Sequence, residues 1–204
     1  MGLTITVDGF SPDGPIPETF GFCALDGMGA NRNPRVAWTG APDGVSSFAL
    51  LCVDPDAPTD ATNVNKEGVT VPADLPRADF AHWVLVDIAA GVAEIAEGAD
   101  SDGVTPGGKP TGPTALGVRG HNDFTGWFEG DADMGGTYGG YDGPCPPAND
   151  EIIHHYTFTV YALDTESLGL SGDFGVGDAV AAMAGHVLDQ ASVTGTYTLN
   201  PDVR

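Results

Sequence analysis

Glycine and proline limit what this chain can fold into. The 204 residues include 30 Gly and 16 Pro, together about 23% of the chain against a usual ~12%. Proline lacks a backbone donor and fixes φ, and glycine weakens regular elements, so interruptions this dense leave no room for long helices. No Gly-X-Y period runs through the chain, which excludes collagen. Valine leads the aliphatic residues, and this favours short strands joined by elaborate loops. Leu, Ile, Val and Phe make up about 22% of the residues, just above the ~20% below which a charged chain usually stays disordered. The length predicts one domain over residues 1–204 with a lean core.

The charge is strongly one-sided, with 29 acidic residues against 7 basic and a formal net charge of −22. The carboxylates are scattered along the chain rather than gathered in a tail, so they predict an acidic surface. Self-repulsion on this scale destabilises a compact state unless salt screens it, and the sequence reads as adapted to a salt-rich cytoplasm. Nucleic-acid binding is excluded because so few cations cannot neutralise several phosphates. The longest apolar run, Phe48 to Val53, is too short to cross a bilayer, and the start MGLTITVDGF lacks the basic flank and apolar core of a leader, so no membrane insertion is expected. Cys23, Cys52 and Cys145 include no CxxC pair and leave one residue over. That pattern points to a reducing compartment, the cytoplasm, rather than to a disulfide framework.

Along the chain, 3–7 and 35–39 read as short strands, 47–54 and 82–88 as buried ones, and 152–162 as a long alternating one. Val176, Val180, Met183 and Val187 recur at helical spacing and predict a helix from Val176 to Leu188, with His186 on it. Thr194 to Leu199 returns to strand. Two long polar stretches, 59–79 and 98–151, read as functional loops. The fold class is therefore mainly β: two antiparallel sheets in a sandwich, with long loops and a C-terminal helix.

Two motifs mimic nucleotide-binding loops. Gly103 to Lys109 reads G-x-x-x-x-G-K, but Pro110 replaces the magnesium-binding Ser or Thr and spoils the helix such a loop needs. Gly27-Met28-Gly29 is not completed as a dinucleotide fingerprint. No cofactor is expected.

The chemistry gathers at strand ends. His154 shares its face with Tyr156, Phe158, Val160 and Ala162, while His155 lies on the polar face. His82 falls on a face with Val84, Val86 and Ile88. The strand at 47–54 ends in Asp54, and Pro55-Asp56-Ala57-Pro58 makes a rigid turn after it. The end of one antiparallel strand lies beside the start of its neighbour, so Asp54 and a histidine can meet at one sheet edge. Each group taken alone has an ordinary reading: a histidine satisfied by a carbonyl, or an aspartate capping its own turn. Together they outline a candidate pocket.

These residues resemble a known family. Asp54-Pro-Asp-Ala-Pro58, then His82-Trp83-Val84, then Gly143-Pro-Cys-Pro-Pro147 leading into His154-His-Tyr156 and Tyr161-Ala-Leu-Asp164, are similar to motifs of the phosphatidylethanolamine-binding protein family, in its bacterial and archaeal Raf kinase inhibitor-like branch. The resemblance implies a two-sheet fold with a small anion pocket lined by Asp54, Asp56, His82, Gly143, Cys145, His154 and Tyr156, and an Ala57–Pro58 bond that is cis. A phosphate ester would accept hydrogen bonds from His82, His154 and the backbone N–H groups of the Gly143 to Cys145 turn. No Arg or Lys lies in the motifs, so affinity is expected to rise as both histidines charge. The expected partners are a small phosphate-containing or other anionic ligand and, by the same resemblance, a kinase or protease. The alternatives are a metal-dependent hydrolase built on the two histidines and Asp54, and a cysteine hydrolase built on Cys145, His154 and Asp54. The acidic stretch 129–142 is longer than the family pattern and bears on the pocket mouth.

Overall fold

The computed structural model describes residues 2–203. Its strands are β1 (Thr4–Val7), β2 (Cys23–Ala24), β3 (Gly27–Met28), β4 (Val36–Thr39), β5 (Ser47–Pro58), β6 (Arg77–Ala89), β7 (Glu94–Ile95), β8 (Gly112–Pro113), β9 (Val118–Arg119), β10 (His154–Leu163) and β11 (Val187–Tyr197). The helices are α1 (Phe124–Trp127) and α2 (Val176–Met183). A six-stranded sheet runs in the order β11-β10-β5-β6-β9-β8, a three-stranded sheet in the order β1-β4-β7, and β2-β3 form a small ribbon. The strand pairs are antiparallel, as the short strands and turn-rich joints predict.

The two larger sheets enclose the main core. Val7, Val36 and Trp38 meet Phe48, Leu50, Trp83, Leu85, Phe158 and Val160 from the large sheet. The large sheet is also covered on its other face, where Ala49, Leu51, Val84, Val86 and Leu163 pack against Phe174 and against Ala179 and Met183 of α2. Burial on both faces is why 47–54 and 82–88 read as continuous apolar runs while β10, whose odd positions are less buried, reads as alternating.

Two local features depart from the sequence reading. The helix stops at Met183, and Val187 already pairs with Leu163 as the start of β11. Gly185, with φ of 86°, takes the left-handed conformation that ends the turn. Val187 thus matched the helical spacing by coincidence, and His186 lies in the connecting turn with its Nδ1 2.7 Å from Asp164 Oδ1. The second departure is in β6. Cys52 pairs with Trp83 and Val53 with Ala81, so the register skips His82. This bulge turns His82 away from the face of Val84 and Val86, and its ring packs on Tyr156 instead. Ile88 likewise belongs to the main core rather than to the Val84 face.

Candidate functional site

Three strands bring the candidate residues together. Val53 pairs with Thr157 across β5 and β10, which sets the end of one strand beside the start of the other and closes Asp54 onto His154. The His154 Nδ1 lies 2.7 Å from Asp54 Oδ2. Asp54 is held by its own turn, because its Oδ1 accepts the Asp56 N–H at 2.7 Å. The second ring nitrogen of His154 is also occupied: Nε2 lies 3.1 Å from Asp150 Oδ2. Asp150 in turn receives Arg77 as a two-point pair, Nη1 to Oδ2 at 2.6 Å and Nη2 to Oδ1 at 3.0 Å.

A ring facing two carboxylates must donate from both nitrogens and is therefore cationic. Burial pushes its pKa down, but the hydrogen bonds to Asp150 and Asp54 and their negative charges outweigh this and raise it to about 9. For Asp150, burial acts upward, and the bonds from His154 and Arg77 overcome it to hold the carboxyl at about 2. His154 thus stays charged across the neutral range.

His82 is in the opposite state. Its Nδ1 is 2.8 Å from the carbonyl oxygen of Asp142, so this nitrogen must be the donor. Burial lowers its pKa, with Asp54, the Asp142 carbonyl and Asp123 acting the other way. The Asp142 strut is itself fixed, since its buried carboxylate accepts from Asn31 at 2.7 Å, Lys109 at 2.7 Å and Asn122 at 2.8 Å. Phe80, Phe124 and Tyr156 surround the ring, at centroid distances of 5.0, 5.5 and 5.1 Å.

Between these two histidines lies a cavity of about 140 Å³. Its polar lining includes Asp54, His82, His154 and Tyr156, and its walls are mainly apolar, with Phe80, Phe124, Trp127, Pro146 and Pro147 among them. The Tyr156 hydroxyl is buried beside Asp54 but makes a well-formed hydrogen bond with no described residue. Burial and the Asp54 charge keep its pKa well above the usual value.

Of the candidate residues, Asp54, His82, Cys145, His154 and Tyr156 line the cavity, while Asp56 and Gly143 do not. Asp56 accepts from the His155 N–H and ring Nδ1 at 2.9 and 2.8 Å. The Gly143 N–H donates to Asn31 Oδ1 at 2.8 Å, and a Cβ there would fall 1.8 Å from the Phe20 carbonyl oxygen. That glycine serves close backbone packing. Prolines 144, 146 and 147 have no N–H, so the expected nest of backbone donors is not formed there. No residue of the 129–142 stretch lines the cavity.

Three further expectations are corrected. Cys23 and Cys145 form a disulfide across a separation of 122 residues. The chain fold makes this pairing: the N–H groups of Phe22 and Cys23 both reach the Pro144 carbonyl, which lays the β2 ribbon along the cavity wall. Cysteine usage therefore no longer argues for a reducing compartment, and Cys145 offers no thiol for a cysteine hydrolase. Cys52 is the remaining free thiol, and its burial raises its pKa well above the usual value. Among the described residues there is no cis peptide bond, so Ala57–Pro58 is trans, the lower-energy form. For the metal-hydrolase alternative, no three His, Cys, Asp or Glu side chains among the described residues are arranged to hold a metal ion, and both His154 nitrogens are committed to carboxylates.

Asp150 and Arg77, the partners that fix His154, were absent from the sequence reading. Arg77 lies five residues before His82, at the start of β6, and Asp150 in a polar Asn-Asp-Glu stretch; no local spacing joins them.

Among the described residues no helix is long and apolar enough to cross a membrane. Residues 6–198 match the family described as phosphatidylethanolamine-binding protein. A UPF0098 protein of Methanothermobacter thermautotrophicus is 31% identical over 195 residues, which cover 96% of this chain and 98% of that protein. Escherichia coli YbhB is 31% identical over 188 residues, 90% of this chain and 92% of its own. The crystal structure of Escherichia coli YbcL superposes with a TM-score of 0.72 at 25% identity, covering 97% of this chain and 99% of that one. With its order of strands, its strand-end histidines and a family match over nearly its whole length, this chain belongs to the phosphatidylethanolamine-binding protein family.

Proposed function

We propose that the cavity binds a small ligand carrying a phosphate ester or a comparable anionic group, and that the protein acts by binding rather than by turnover. The observation that carries this reading is His82 on the cavity wall: its Nδ1 is committed to the Asp142 carbonyl, and its Nε2 bonds to no described residue. Buried polar groups are normally paired, and leaving one unpaired costs ~1–3 kcal/mol, so a polar ligand atom at Nε2 is the missing partner. The Tyr156 hydroxyl, buried beside Asp54, closes the floor next to it. His154 and Asp54 supply fixed, mutually compensating charge, and the aromatic and proline walls exclude water around the polar group. Asp56 and Gly143 act behind the wall as positioning residues.

The pH dependence then belongs to His82 alone, since His154 is already charged below about 9. An NMR titration of the imidazole signals with phosphorylethanolamine, in molar salt with chelator, tests the reading. Saturable movement of His82, with His121, His155 and His186 stationary, is expected. An unmoved, well-resolved His82 signal at saturating ligand overturns it.

A further inference from the structure

Between β5 and β6 the chain makes an Ω-shaped excursion, closed at its neck where the Thr59 N–H and hydroxyl both donate to the Pro76 carbonyl, at 3.1 and 2.8 Å. Its two halves are held in different ways. The second half, 70–76, is anchored to the body. Val71 is fully buried; its N–H donates to the Asn149 carbonyl at 2.9 Å, and its carbonyl accepts from the Glu151 N–H at 3.1 Å. The Glu151 carboxylate takes the Thr70 hydroxyl at 2.7 Å and the Ala73 N–H at 3.1 Å, and Arg77 donates to the Pro72 carbonyl at 2.8 Å.

The first half, 60–69, contains no buried residue. Its backbone bonds close short turns within itself, from the Val64 N–H to the Ala61 carbonyl and from the Lys66 N–H to the Asn63 carbonyl. Among the described residues, what ties it to the body is a pair of asparagine side chains. Asn149 donates from Nδ2 to the carbonyls of Asn63 at 2.9 Å and Val69 at 2.8 Å, with the Lys66 carbonyl at 3.5 Å, while its Oδ1 accepts the Asn65 N–H at 2.9 Å. A side-chain amide carries donors and an acceptor together, so one residue meets both kinds of backbone group. Asn65 takes the left-handed conformation, with φ of 56°, and its own Oδ1 accepts the Ala148 N–H at 2.7 Å. Val64 and Asn65 line the cavity, whose floor of Asp54, His82, His154 and Tyr156 is buried. Of the lining residues, Asn65 and Trp127 are the exposed ones, which puts 60–69 at the mouth.

We propose that residues 60–69 form a lid, latched over the cavity mouth by the Asn149 side chain, which opens about Asp60 and Thr70 while 70–76 stays in place. Segments with few buried contacts and solvent-exposed hydrogen bonds open at low free energy. Opening this lid breaks bonds whose groups water can satisfy and uncovers little apolar surface beyond Val64. Opening the anchored half as well would expose Val71 and strip Arg77 of a carbonyl partner. The latch is the neighbour of Asp150, which fixes His154, so the closed lid and the charged corner are held by one short segment. As the control of entry to the cavity the lid rests on the binding reading above, but its movement is tested without ligand.

Amide hydrogen exchange read by NMR in molar salt, on the unaltered protein, Asn149→Ala and Asn65→Gly, is the test. Glycine keeps the left-handed conformation at 65 and removes the bond to Ala148. The Val64 and Lys66 amides donate within the lid and not to Asn149, so they report its opening rather than the loss of their own acceptor. In Asn149→Ala they are expected to exchange about tenfold faster or more, the upper worth of one net hydrogen bond, and in Asn65→Gly by a smaller factor. The Thr59, Val71 and Glu151 amides are expected to stay within about threefold of the unaltered protein. Unchanged exchange at Val64 and Lys66, or equal acceleration at Val71, overturns the lid; if Asn149→Ala does not fold, the same contrast in Asn65→Gly decides. Line shapes in a phosphorylethanolamine titration then read the gating: association and dissociation are both expected to quicken in the loosened variants. Unchanged ligand rates beside a faster lid overturn its control of entry. No binding by any of the three proteins, with the lid amides behaving as expected, overturns the binding reading and leaves the lid standing.

Discussion

His82 and His154 line one cavity, are both almost fully buried, and hold opposite charge states. The cause is what each ring nitrogen faces. His154 lies between two carboxylates and is held as a cation, while His82 has a single carbonyl behind it and is kept neutral by burial. Burial alone pushes both imidazoles the same way; the difference comes from partners delivered by distant segments. The charged corner is therefore part of the framework, and the neutral corner holds the ring nitrogen left without a described partner.

The largest effect on this contrast is expected from Asp150→Asn. It removes a partner from both His154 and Arg77 and leaves a buried imidazolium and a part-buried guanidinium short of countercharge, at a cost of about 4 kcal/mol. Denaturant unfolding in molar salt measures the loss. His82 should keep its neutral state in the folded variant, read from its imidazole shift.

Next is the pH profile of stability. The His154 pKa is raised in the fold, from 6.5 to about 9, so its contribution is fully present below pH ~6.5 and is lost as pH rises through about 9. That shift corresponds to about 3 kcal/mol at most. Asp150 is depressed to about 2, so its contribution is present above its ordinary value near 3.8 and is lost as pH falls through about 2. Thermal unfolding between pH 6.5 and 9.5 should show the first loss, and His154→Gln should flatten it.

The disulfide sets the cavity apart from the core, because Cys145 lines the cavity wall and the free Cys52 sits in the core. Thiol titration of the unreduced, denatured protein should find one reactive cysteine rather than three. Replacing Cys23 and Cys145 by serine should cost about 2–3 kcal/mol, and reduction should disturb the cavity-lining signals before those of the sandwich core.

The smallest effect is expected from Tyr156→Phe. Removing a buried hydroxyl whose contact with Asp54 is poorly formed should leave stability within about 1 kcal/mol and affinity for phosphorylethanolamine within about threefold. A larger loss of stability would show that the hydroxyl already serves the free protein.

Much of this was written locally. The alternation from His154 to Ala162 placed His154 and Tyr156 on the core face, and the stop at Asp54-Pro55 marked the end of β5. Other features had no local signal. The bulge at His82 is set by its pairing with β5, which shifts between Cys52 and Val53. The Cys23–Cys145 bond depends on a ribbon docking onto the Pro144 carbonyl. The helical spacing ran through Val187 although Gly185 had already ended the turn.

From the sequence alone came the strand-rich class and the meeting of Asp54 with a strand-end histidine, because side-chain period and the ends of apolar runs are properties of neighbouring residues. The tertiary structure decided which histidine is charged, which cysteines pair and which polar groups remain open to a ligand. Those depend on Asp142, Asp150 and Arg77 arriving from separate loops and strands, and in a low-dielectric interior the identity of such neighbours outweighs the residue's own chemistry.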